Sequence, residues 1–251
     1  MADNTDNNTD EPNKKRKAKS VVSYSAISVA AAQQRLGFMI EDVKAVAYDT
    51  MSVHTYKVEG VNQVKLKVYE WILHVLEIEG YPDESNTYFK EENVSDLVLG
   101  ILIPVLMFMR KQTGRRLRLT REKEIISSDK ETGGKEEFVV LDIVTVNDHM
   151  VVLIIEADVG LAMKQILLSM KGAWDNDMRS DVYGLVTTGV NWRMVKYDGK
   201  MFVMTDVFEL VFNTMAENEE RWMKNCSGLI DCLLFVLTNG GSVVKDVIVS
   251  G

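Results

Sequence analysis

Two β-branched runs, residues 138–146 and 150–155, are separated only by Asn147-Asp148-His149. Runs this short and this close together read as strands joined by a tight polar turn, an antiparallel hairpin. An isolated hairpin is barely stable, so the remainder of the chain has to bring strands and helices against it. The downstream pattern does so. Residues 161–174 read as a helix and residues 182–188 and 192–197 as strands. Asp198-Gly199 is a hairpin signal leading to a strand at 201–205, and helices are expected over 207–215 and 219–237. Upstream, a helix is expected over 91–111, ending before Gly114. Residues 115–127 then read as a strand or irregular edge, followed by a polar turn containing Gly133-Gly134.

Three regions follow. Residues 1–20 have almost no apolar side chains, so burial does not offset their ordering entropy and a disordered tail is expected. The basic block at residues 14–19 reads as a nuclear localisation signal or a nucleic-acid patch, set against a merely solvated tail. Residues 21–83 read as a helical extension. Val64, Val68, Trp71, Ile72, Val75 and Leu76 make one apolar stripe on a helix over 61–79, and 38–58 is ambiguous, with a short strand near 51–57. Residues 84–251 make an α/β (α+β) domain, a central mixed sheet of four to five strands flanked by helices.

Composition excludes some functions. The longest apolar run, 97–109, is interrupted by Gly100 and Pro104 and falls short of the ~20 residues of a membrane span. It reads as a buried helix, and no membrane partner is expected. Cys226 and Cys232 are six apart, fit neither a CxxC nor a zinc pattern, and read as buried thiols. The net charge of −8 makes the chain a poor default nucleic-acid binder, so such a role needs a local basic patch or a metal site.

Each hairpin strand carries an acid, Asp142 in VVLDIVTV and Glu156 in VVLIIEAD. Burying an ionised carboxylate costs several kcal/mol unless something pairs with it. A turn at Asp148-His149-Met150 would set Asp142 directly opposite Glu156, with Cβ atoms ~5 Å apart. Two like charges there call for a divalent cation such as Mg²⁺, which takes one or two carboxylates and polarises a phosphate. The competing reading has each acid solvated at a strand end or paired with Arg or Lys. Register decides between them, because a slip of one residue moves a side chain to the other face.

The order of elements, with Asp142, Glu156-Ala157-Asp158, Gln165 and the run VYGLVTTGVNW at 182–192, resembles the PD-(D/E)XK nuclease superfamily. It is similar in particular to the nuclease-like domains of fungal and oomycete Crinkler-type proteins. The resemblance covers about residues 90–240 and implies a restriction-endonuclease-like fold. It implies Asp142 and Glu156 as ligands of Mg²⁺ or Mn²⁺, Gln165 in support, and DNA or RNA as substrate. An acid on the first core helix (Glu91, Glu92 or Asp96) completes such sites. Where the family has Lys two residues after the Glu, this chain has Asp158, which shares a face with Glu156 and is a further candidate ligand. Either Lys164 supplies the ammonium, or the domain is an inactive module that binds nucleic acid or a protein partner.

The densest basic stretch outside the tail holds Arg115, Arg116, Arg118, Arg121 and Lys123. It reads as a phosphate-backbone contact or as a charged edge strand that resists pairing with other chains.

Overall fold

The computed structural model describes residues 21–47, 59–82, 88–157, 162–177 and 180–241. The basic tail, the strand expected near 51–57 and Asp158 lie outside them. The elements in chain order are β1 (Val22–Ser23), α1 (Val29–Leu36), β2 (Lys44–Val46), α2 (Val61–Glu79) and α3 (Glu91–Thr113). Then come β3 (Leu117–Ile126), β4 (Thr132–Ile143), β5 (His149–Ala157), α4 (Ala162–Asp177), β6 (Val182–Thr187) and β7 (Asn191–Tyr197). β8 (Phe202–Thr205), β9 (Phe208–Glu209), α5 (Glu219–Asn225) and α6 (Gly228–Asn239) complete the fold.

The strands form one mixed sheet in the order β1-β4-β5-β6-β7-β8-β2, with β3 also beside β4 and β9 beside β7. β5 and β6 run parallel, joined through α4, while β3-β4-β5 and β6-β7-β8 are antiparallel. Period-two alternation divides the sheet between two cores. Phe138, Val140, Leu153, Ile155, Leu185 and Met194 face α2, α3, α5 and α6. Val139, Leu141, Ile154 and Val195 face α4.

The sheet has nine strands among the described residues rather than four to five. The difference comes from β3, which reads from the sequence as a strand or an irregular edge, and from β1, β2 and β9, two or three residues each, which are too short to show a period. β1 and β2 arise from the segment expected to be a helical extension, where they pair with β4 and β8, and α2 packs into the main core. No helix spans 207–215: β9 and a 3-10 turn at Met215–Glu217 occupy it. The helix expected over 219–237 is two helices, α5 and α6, broken at Cys226 and Ser227.

α3 is long and apolar enough, by length and composition, to cross a membrane. Here it is a core helix, with Leu97, Val98, Ile101, Leu102 and Val105 at most 1% exposed and packed among residues of α2 and α6.

The β7–β8 turn forms as its Asp-Gly signal implies. Asp198 accepts the N–H groups of Lys200 and Met201, both at 2.9 Å, and these bonds hold its carboxyl below the ordinary range. Gly199 has φ +87° and lies under the Trp174 indole, where an added Cβ would come within 2.1 Å of the ring. Gly199→Ala is therefore expected to lower stability by about 2 kcal/mol or more, from left-handed strain plus the clash. A urea midpoint equal to wild type would contradict this.

Candidate functional site: a carboxylate cluster at the end of β4 and β5

The register of the β4–β5 hairpin is set by a turn longer than its polar residues suggest. Val144 and Thr145 both donate backbone N–H bonds to the Asp148 carbonyl, so residues 144–148 form the loop. Val144 is 39% exposed and Val146 94%, so the last β-branched residues of the run are not strand at all. With a further irregularity between Val140 and Leu141, Asp142 pairs with Met150 and Phe138 with Ile155. The expected face-to-face placement of Asp142 and Glu156 is thus corrected. Glu156 lies six residues along β5 from Met150, about 20 Å at ~3.3 Å per residue, and the two acids do not share an ion.

Asp142 has a different partner. Its carboxylate accepts from Arg115 Nε at 3.0 Å and lies 2.9 Å from Nη2 as an ion pair, with side chains 6% and 3% exposed. The guanidinium also donates to the carbonyls of Leu237 and Gly240 at the end of α6. Arg115 is therefore a buried strut between β4 and α6 and presents no surface to a nucleic acid. Arg116 donates to the carbonyls of Ile143 and Val144, while Arg118 is exposed on β3, which among the described residues pairs with β4 alone.

The residues that do meet Glu156 are Glu136 and Glu137. Continuing the register from Phe138–Ile155 sets Glu137 opposite Glu156. There the ladder opens: the N–H of Ala157 donates to the Glu137 carboxylate, 3.0 Å, where regular pairing would use a backbone carbonyl. Glu137 also accepts from Ser95 of α3, while Glu136 accepts from Ser169 of α4, so consecutive glutamates reach opposite faces of the sheet.

Glu136 and Glu156 are 1% and 6% exposed and face one another. Glu136 Oε2 and Glu156 Oε1 have no hydrogen-bond partner among the described residues. If both carboxyls were ionised they would only repel. A single shared proton would bridge them. Burial first, then contact with Glu136 and the charge of Glu137, pushes the Glu156 carboxyl up to about 10. Burial likewise raises Glu136 and Glu137; the Glu137 rise is opposed by its bonds to Ser95 and Ala157 and by the Arg121 charge, while the Glu91 charge adds to it. Arg121 is held with its guanidinium carbon 5.2 Å over the Phe138 ring.

Gln165 of α4 points to this cluster, with Nε2 3.5 Å from Glu156 Oε2, at the long limit of a hydrogen bond. Lys164 does not. It is 5% exposed and donates to the backbone carbonyls of Ser25 at 3.0 Å and Ile27 at 2.6 Å, tying α4 to the loop before α1. The reason is helical geometry: neighbouring residues on a helix point about 100° apart, so Gln165 and Lys164 do not both face one cluster. Of the residues singled out from the sequence, the fold brings together Glu156 and Gln165; it separates Asp142, Lys164, Arg115, Arg116 and Arg118 from them. Glu136-Glu137 escaped notice because the pair precedes the apolar run instead of interrupting it. The signal was present as two adjacent acids at the foot of a buried strand.

No family model and no curated protein sequence matches the chain. Among the described residues no group of three His, Cys, Asp or Glu side chains stands ready to hold a metal ion. The facing pair nevertheless suits a hard divalent cation. Its donors are carboxylate oxygens only, two of them lack any donor, and Mg²⁺ or Mn²⁺ commonly takes one or two carboxylates and completes its shell with water.

Proposed function

We propose that the protein is a nuclease-like, metal-dependent phosphodiester-binding domain whose site is the cluster Glu136, Glu137 and Glu156. The observation that carries this reading is the pair of buried carboxyls on adjacent strands, each with an oxygen that no donor among the described residues reaches. Glu156 and Glu136 would hold Mg²⁺ or Mn²⁺, and the ion would supply Lewis-acid polarisation of a phosphate and a more acidic bound water. Glu137, opposite Glu156 and half-buried, contributes further negative charge and keeps the strands apart through its bond to Ala157. Gln165 orients the Glu156 carboxyl from α4. Arg121, over the Phe138 ring and with its charge acting on Glu137, would be the group that meets a phosphate of DNA or RNA.

A second reading is favoured by one observation. Lys164, the ammonium that would activate the attacking water, is consumed by the carbonyls of Ser25 and Ile27. On that reading the domain binds metal and nucleic acid, or a protein, without cutting.

Two measurements separate these readings. Calorimetric titration of metal-free protein with Mn²⁺ is expected to show one site, weakened on the order of tenfold or more in Glu156→Gln and unchanged in Asp142→Asn. Plasmid, single-stranded DNA and RNA are then incubated with Mg²⁺ or Mn²⁺. Metal-dependent cutting lost in Glu156→Gln establishes the enzyme, and metal binding without cutting establishes the inactive module. Absence of any Mn²⁺ binding to folded wild type overturns both.

A further inference from the structure

On the side of α2 and α3 turned away from the sheet lies an open groove of about 1030 Å³, unconnected with the carboxylate cluster. The two helices pack antiparallel: Gly60 at the start of α2 meets Phe108 near the end of α3, and Gly100 meets Val75 and Trp71. The floor is apolar and open to solvent, with Trp71 51%, Ile103 45% and Met107 63% exposed. Large apolar side chains gathered in one concave patch mark a surface that something covers. Methionine beside an indole gives such a floor an adaptable shape.

The rim has the opposite charge from the chain as a whole. Lys67, Arg110 and Lys111 line the groove against a single acid, Glu59, on a protein of net charge −8. Among the described residues no ion pair engages these three cations, and Arg110 makes only a hydrogen bond to the Leu117 carbonyl. From Val61 to Trp71 the wall extends about 15 Å at ~1.5 Å per residue, the length of about three turns of helix.

We infer that this groove docks an acidic amphipathic helix of a partner protein, with apolar anchors at i, i+3 or i+4, and i+7 against Trp71, Ile103 and Met107, and carboxylates facing Lys67, Arg110 and Lys111. Helix-in-groove recognition has this form, apolar contacts giving affinity and rim charges giving orientation and partner choice. Two other occupants fit less well. A second copy docked about a two-fold axis would set the same cations face to face. A nucleic-acid backbone would lay its phosphates against a floor of Trp71, Ile103 and Met107, which carries no positive charge to meet them.

The probe is a fluorescein-labelled synthetic peptide of about four helical turns, leucines at the anchor positions and glutamates elsewhere. It is titrated with the full chain and followed by anisotropy. Saturable binding is expected, weakened at least about tenfold by Met107→Glu and by the pair Lys67→Glu with Lys111→Glu, and reduced by added salt. All three positions are exposed, so the variants should fold, and an unchanged thermal melt verifies this. The inference is overturned if a scrambled acidic peptide binds equally, if folded variants bind as wild type does, or if no peptide binds. It is overturned as to partner if Met107→Glu instead abolishes a concentration-dependent dimer in sedimentation, or binding to anionic phospholipid vesicles. Neither the metal titration nor the cleavage assay bears on this outcome.

Discussion

Arg115→Ala is expected to lower the stability of the protein by about 3–5 kcal/mol, the largest effect of any single truncation outside the apolar core. The substitution takes the Arg115 guanidinium away from Asp142, which is buried at 2% exposure, and strips the Leu237 and Gly240 carbonyls of that donor. Removing one member of a buried pair costs far more than removing both, since what destabilises is the charge left alone in a poorly polarisable interior. The double variant Arg115→Met with Asp142→Leu is therefore expected to recover much of the loss. For a chain of this size a loss of that order shifts Tm by roughly 10 °C. Denaturant unfolding of wild type, single and double variants measures it. A loss below about 1 kcal/mol for Arg115→Ala would mean that the pair is solvated and the strut between β4 and α6 unimportant. The same variants settle the place of Asp142, because a metal ligand would show its effect in Mn²⁺ affinity and a strut shows it in stability.

The second large effect concerns pH. Glu156 is held protonated in the fold up to about 10, whereas the unfolded chain ionises it near its ordinary 4.5. Its folded value is raised, so the stability it contributes is complete below about pH 4.5 and is lost as pH rises towards 10. Metal-free protein is accordingly expected to become less stable from pH 5 to pH 9, by up to about 1.4 kcal/mol per pH unit for one proton. Glu156→Gln, which cannot ionise, should flatten that slope and be the more stable protein at pH 8. On the proposed function Mn²⁺ would replace the proton as partner of the two carboxyls, and saturating metal should then restore wild-type stability at pH 8, by about 2.7 kcal/mol at a hundred times Kd. Urea unfolding across pH, with and without metal, tests this. Parallel wild-type and Glu156→Gln profiles would show that the carboxyl is solvated and ionised like any surface acid.

These two results bear on each other through the hairpin. Asp142 and Glu156 are both acids within β-branched runs, and nothing local distinguishes them. Three-dimensionally they differ because the loop at 144–148 holds five residues, so Asp142 meets Arg115 under the end of α6 while Glu156 meets Glu136 and Glu137. A buried charge needs a partner, and which partner it finds depends on a register that the loop length sets.

Periodicity by itself determined the middle of the fold. The apolar stripe of α2, the long apolar run of α3, the β-branched and apolar runs within β4 to β8 and the Asp198-Gly199 turn were all legible because each element is long enough to show its pattern or carries its own turn chemistry. Glu156 as an acid requiring explanation, and Gln165 beside it on the next helix, were legible too. Tertiary structure decided the rest. β1, β2 and β9 exist only because a neighbouring strand offers hydrogen bonds to two or three residues that have no tendency of their own. Lys164 and Arg115 have long, flexible side chains whose partners, the carbonyls of Ser25 and Ile27 and the C-terminal end of α6, lie more than a hundred residues away in the chain. Local sequence records what an element can be. It does not record which distant oxygen a buried cation will find, and at this site that choice separates the residues that brace the fold from those that form the carboxylate cluster.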